Sequence, residues 1–309
     1  MRLIGPAMAL STLLLAGCAM PGGRAAESDV ARYAEAMQEA ESAIDATLGR
    51  LAGFERRADH EAEAIAFSAG PASRRRGAGP ASAAPRGGAA EATRQLFEVS
   101  FEALAAYTQN LAALGREPGA EPVPVDAAAL GARAAAALAA YETASGRAIP
   151  EPVRGAGLAA IPAVAAAPAG NVGPRALAAE RDGQIQAVVA LLKAVVGEQT
   201  GQGLRGTIRA RRDQVAADRT ALLESIRNDP RASRMDRYRA YEMVAQARSE
   251  DPEQGALREV AAVLDRIAQA DDGLARGDAG QVAANTAALQ QAVERLWQVQ
   301  PRLERPEEE

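Results

Sequence analysis

The chain has 309 residues, a formal net charge of −5 and one cysteine, with 48% hydrophobic but only 3% aromatic residues. That length supports one or two domains with real cores. The mild acidity argues against nucleic acid as a partner, and a lone cysteine excludes intramolecular disulfide stapling. Of the 35 basic residues only Lys193 is a lysine; with so much alanine and glycine this reads as the codon bias of a GC-rich genome, so arginine counts alone carry no function.

Met1 and Arg2 form a short positive start, and residues 3–15 are apolar and end on small residues, the layout of a cleaved export signal. The apolar run of about 13 residues is short of the roughly 20 needed to span a bilayer. Leu15, Ala16, Gly17 and Cys18 resemble the lipobox of bacterial lipoproteins. The resemblance covers the first 20 residues or so. It implies cleavage between Gly17 and Cys18, covalent lipid on Cys18, and a membrane as the first partner. One acyl chain holds a protein only marginally, at about 0.8 kcal/mol per buried CH₂; this family carries more than one, which implies permanent attachment. Ala19 stands where relatives retained at the inner membrane often carry Asp, which implies the periplasmic face of the outer membrane. The expected order is a signal peptide over 1–17 and a lipidated tether over 18–27.

From there every ordered stretch has helical periodicity and none alternates with period two. A helix is expected over 28–68, with Val30, Tyr33, Met37, Ile44, Leu48, Leu51, Ala58 and Ile65 at near-heptad spacing. Residues 69–90 lack periodicity and read as a flexible loop. A second helix over 91–114 has Phe97, Phe101, Leu104, Tyr107, Leu111 and Leu114 on one face, and a third over 125–144 uses Leu130, Leu138 and Tyr141. Residues 146–173, punctuated by proline and glycine, read as a linker. Helical pattern returns at Pro174 with Ile185, Val188, Leu192 and Val195. Glycines 201, 203 and 206 interrupt it, and it resumes through Leu204, Ile208, Val215, Leu222 and Ile226. A helix over 232–248 follows. Asp251 then caps a helix that opens at Pro252, with Leu257, Val260, Leu264, Ile267 and Leu274 inward. The last helix uses Val282, Leu289, Val293 and Leu296 and ends before Pro301. Short links imply antiparallel neighbours. The expected fold is all-α, an elongated antiparallel helical bundle of coiled-coil-like long helices in two units, 28–145 and 174–300, with an acidic tail over 301–309.

Few residues suggest chemistry. Gly201 to Gly206 matches the letters G-x-G-x-x-G, but a dinucleotide loop needs a preceding strand and a parallel sheet, and no other strand is legible. Residues 205–248 hold 11 arginines against 6 acids. Arg205, Arg209 and Arg212 share a helical face and are candidate anion contacts, as are Arg74, Arg75 and Arg76 in the 69–90 loop; pairing between basic and acidic helices of one bundle is the simpler account. The 20 charge-free residues 155–174 are broken by Pro162 and Pro168 and are read as a loop or short helix on the bundle rather than a membrane span. His60, the only histidine, has no partners for a metal site and reads as solvated. Trp297 reads as a packing aromatic. No catalytic residue, metal ligand or cofactor is expected beyond the lipid on Cys18. The expectation is a non-enzymatic, lipid-anchored envelope protein acting as a binding, spacer or assembly element, with an envelope protein or a second copy as partner. A carrier or sensor of small amphiphiles is the alternative, and a glycan-cleaving enzyme using a carboxylate pair the remote one.

Overall fold

The computed structural model describes residues 21–68, 88–117, 120–168, 170, 172–246 and 251–304. Among these the regular structure is wholly α-helical, with no strand. The all-α bundle expected from periodicity is the fold. Helix α1 (Pro21–Ser68) has 48 residues and extends about 72 Å at 1.5 Å per residue. Of its expected inward positions, Val30 through Ala58 are buried, while Ile65 is only half-buried.

Helix α2 (Ala89–Arg116) has no side-chain cap of its own: Gly88 before it holds φ at 135°. The cap comes from α1, where Glu55 Oε2 accepts the backbone N–H groups of Gly88 and Ala90, each at 3.0 Å. A carboxylate there meets otherwise unpaired donors and the positive end of the helix dipole. All six expected core residues of α2 are buried. Helix α3 (Ala127–Ser145) opens on Asp126, which accepts from Ala129 N at 2.9 Å, and closes on left-handed Gly146.

The segment expected as a linker contains helix α4 (Glu151–Ala165). Proline occupies its start, where no donor is lost, and its small residues mark close approach rather than flexibility. A Cβ on Gly157 would fall 2.4 Å from that of Leu191, and one on Gly131 would fall 3.4 Å from the Pro162 ring. Ala160, Ile161 and Val164 are buried. Helix α5 (Pro174–Val196) follows, then α6 (Gly203–Asn228), α7 (Arg234–Gln246), α8 (Pro252–Arg276) and α9 (Ala279–Glu304). The stretch 174–228 is therefore two helices, not one.

Around the bundle α1, α2, α3, α4, α5, α8 and α9 are successive neighbours, and α9 returns to α1. Helix α2 also reaches α4 and α5. The two expected units thus share one apolar cluster, which runs from Val30 to Leu303. Helix α9 continues through Pro301 rather than stopping before it. Its neighbours hold the turn: Gln300 Nε2 donates to Ala43 O at 3.0 Å and Thr47 Oγ1 at 3.1 Å, and Leu303 is buried.

Helix α6 departs from this scheme. Leu204 and Ile208 are buried, but Val215, Leu222 and Ile226, expected inward, are only half-buried. Beyond Ile208 the helix leaves the core along the far end of α1, and α7 folds back on it, touching no other helix.

Candidate functional site: the projecting arm

The arm begins at the glycine-rich turn. Gly197 and Gly203 adopt φ of 92° and 54°, and a Cβ on Gly206 would lie 2.4 Å from the carbonyl oxygen of Gly201. These glycines permit a tight reversal from α5 into α6. The turn follows a helix, not a strand, so it lacks the setting of a dinucleotide loop. Arg205 is buried within it, donating to Glu198 O at 2.7 Å and Gln254 Oε1 at 3.2 Å. Gln254 Nε2 donates back to Arg205 O at 2.8 Å. The expected anion-contact face of Arg205, Arg209 and Arg212 is therefore not assembled. Arg205 is a structural clamp, Arg209 lies 3.9 Å from Asp213, and Arg212 pairs with Asp251 at 3.0 Å.

Farther out, Arg211 pairs with Asp59, and Arg219 grips Glu61 with two nitrogens, one at 2.9 Å from Oε2. Both pairs are largely shielded and fasten α6 to α1. The reversal at Asp229-Pro230 leads to a capping box, in which Ser233 N donates to Asp236 Oδ2 at 2.9 Å and Asp236 N to Ser233 Oγ at 3.2 Å. Ala240 and Val244 of α7 are buried against α6. Its outer face carries Met235, Tyr238 and Tyr241, each more than half exposed, and Phe67 at the end of α1 is 80% exposed. Around them Arg227, Arg231, Arg234, Arg237 and Arg239 are all exposed; Arg237 Nη2 donates to Asp229 O at 3.1 Å, and the Ser233 hydrogen bonds, with Arg239 beside them, hold the Asp236 carboxyl below its usual range. Sequence reasoning caught the basic bias of this region and missed its aromatics. The spacing Met235, Tyr238, Tyr241 on a helix that also offers Ala240 and Val244 to a partner was the available signal.

Two features lie in the bundle. Tyr107 Oη donates to Asp271 Oδ1 at 2.7 Å. Asp271 and the nearby Tyr33 are fully buried, and neither Asp271 Oδ2 nor the Tyr33 hydroxyl has a hydrogen-bond partner in the protein. Burial raises the Asp271 pKa to about 7, against the opposing hydrogen bond from Tyr107. A carboxyl poised there suits general acid work, but this one is sealed from solvent and touches no cleft. The second feature is a cleft of about 580 Å³ between α3, α4, α5, α8 and the glycine-rich turn. Ile149, Val153 and Val189 line it beside Arg147, Gln186 and Lys193. Lys193 Nζ lies 2.8 Å from Asp265 and 3.5 Å from Glu198.

His60 is exposed, and among the described residues no group of three potential ligands could hold a metal, nor is any helix long and apolar enough to cross a membrane. Trp297 is 42% exposed and lies on α9 beside buried Leu296. Leu15, Ala16, Gly17, Cys18 and Arg74, Arg75 and Arg76 lie outside the described residues. Compared with known proteins, the chain matches no family model, no curated protein and no solved structure.

Proposed function

We propose that the chain is a lipid-anchored envelope protein of non-enzymatic type that works as a helical spacer and assembly element, with the α6–α7 arm as the part that meets its partner. The observation that carries this reading is the arm itself. It exposes aromatic side chains and a group of arginines, on a helix that packs against α6 alone among the described helices. The Arg219–Glu61 pair sits about 40 residues along α1 from Pro21, or about 60 Å at helical rise. A lipid on Cys18 and an arm at that remove suit a spacer. The lipobox resemblance of residues 15–18 supports the anchor, and Ala19 supports the periplasmic face of the outer membrane.

The test has two parts. Cys18→Ser should release the protein to the soluble fraction or block its processing; a fully cleaved, membrane-bound variant would count against the anchor. A photo-crosslinker at position 241 in intact cells should capture an envelope component that the same probe at exposed His60 does not. A hydrolase or transferase activity abolished by one Asp or Glu substitution would overturn the non-enzymatic reading.

The cleft beside Lys193 favours a second reading, a carrier of small amphiphiles, because it joins an apolar wall to a few fixed polar groups. Native mass spectrometry of protein taken from envelope extract separates the two: a co-purifying lipid supports the carrier.

A further inference from the structure

Helix α7 has already spent its inner apolar residues, Ala240 and Val244, on α6. What it shows outward is a second, independent surface. Met235, Tyr238 and Tyr241 lie at i, i+3 and i+6, and five exposed arginines surround them on a hairpin with only three acids between 227 and 246, Asp229, Asp236 and Glu242. Elsewhere α6 neutralises its charge: Arg211, Arg212 and Arg219 pair with carboxylates of α1 or the residue preceding α8. The tip does not.

We propose that this face of α7 docks on an anionic lipid bilayer, with Met235, Tyr238 and Tyr241 entering the headgroup layer and Arg227, Arg231, Arg234 and Arg239 facing lipid phosphates. The proposal rests on the arm as the partner-facing element but not on the lipid at Cys18. Charge selects the occupant. Five exposed arginines against three acids over 227–246 favour an anionic surface, and the arm of a second copy would be repelled. The face is the outer side of a hairpin, away from the cleft beside Lys193, so it suits a broad surface better than a small molecule. Tyrosine places an apolar ring and a polar hydroxyl at headgroup depth, and arginine keeps its charge in water while its stem follows the apolar surface. Because α6 and the Ser233–Asp236 capping box preform the helix, docking requires no folding step. Three side chains with apolar bodies and a few charges give weak, reversible contact. Glu242 lies on the same face and takes the Tyr238 hydroxyl at 3.2 Å; it opposes an anionic surface and limits the affinity.

The test uses the full chain with Trp297→Phe and Tyr241→Trp, which leaves one tryptophan, on the face in question. Its emission should shift to the blue with phosphatidylglycerol vesicles, remain unchanged with phosphatidylcholine vesicles, and revert in high salt. Arg231→Gln and Arg234→Gln should each weaken the response about fivefold, and Glu242→Gln should strengthen it, while circular dichroism stays that of the parent. The reporter reads only position 241, so insertion of the N-terminal segment into the vesicle does not produce the signal, and failure of the anchor leaves it intact. Emission unmoved by phosphatidylglycerol overturns the proposal. So does an equal shift with both lipids, a shift produced by polyglutamate but not vesicles, which assigns an acidic protein, or a concentration-dependent shift without vesicles, which assigns a second copy.

Discussion

Asp271→Asn should make the protein more stable at pH 8 and erase much of its pH dependence. In the unfolded chain this carboxyl ionises near 3.8, whereas burial holds its proton in the folded state up to about 7. Between those values the folded state binds more protons than the unfolded one, so stability falls as pH rises through the window. Full ionisation above it costs up to about 4 kcal/mol. Asparagine keeps the acceptor for Tyr107 and removes the charge. Its amide, placed where Oδ2 now lacks a partner, costs about 1–3 kcal/mol as an unsatisfied donor. The net gain at pH 8 is therefore about 1–3 kcal/mol, while at pH 4, where the parent keeps most of its proton-linked stability, the variant should fall about 1–3 kcal/mol below the parent. Glu55 and Glu253, also raised by burial, slope the same way in both proteins, so the difference between them isolates Asp271. Urea unfolding followed by circular dichroism at pH 4, 6 and 8 measures it. A parent with no slope across that range, or a variant less stable at pH 8, would refute the reasoning.

Other perturbations probe different joints. Gly157→Val forces a branched side chain into the Leu191 contact and should cost about 1–3 kcal/mol by overpacking, read as a lower urea midpoint. Glu55→Ala removes the cap of α2 and should cost about 1–2 kcal/mol, with faster amide exchange over residues 88–92. Tyr33 and Tyr107 are held neutral well above pH 10 by burial first and the Asp271 charge second. Ionisation then favours the unfolded chain, and stability should fall as pH rises beyond 10; Tyr107→Phe should soften that fall, seen in alkaline unfolding curves. Arg219→Ala should speed amide exchange over 210–246 while leaving the bundle core unchanged.

The bundle was legible because its helices are amphipathic over their whole length. The inward positions read for α2, α3, α5, α8 and α9 are all buried, and the start at Asp251-Pro252 and the stop at Gly277 follow from capping chemistry. Helix α4 was legible only as one of two readings, a loop or a short helix over 155–174, because periodicity in hydrophobicity needs contrast. Gly155 to Val164 offers small apolar residues on every side, and which of them face inward is decided by how closely Leu191 and Gly131 approach. Those are distances between helices, which no local pattern records. The extension of α9 through Pro301 was hidden for the same reason, since contacts with α1 outweigh the missing donor.

The arm shows the opposite failure, a pattern read correctly and buried incompletely. Val215, Leu222 and Ile226 keep helical spacing, yet only a 13-residue α7 and the last turns of α1 stand beside them. Periodicity states that a face is apolar; it does not state how much protein is there to cover it. The bundle proper covers its apolar faces by closing a ring of seven helices, whereas the hairpin is fastened by the Asp59–Arg211 and Glu61–Arg219 pairs and leaves both half-covered aliphatics and exposed arginines at its tip. That concentration of uncovered apolar surface and excess basic charge on one element sets the arm apart from the sealed Asp271 site, and it is this contrast that the crosslinking and vesicle experiments address.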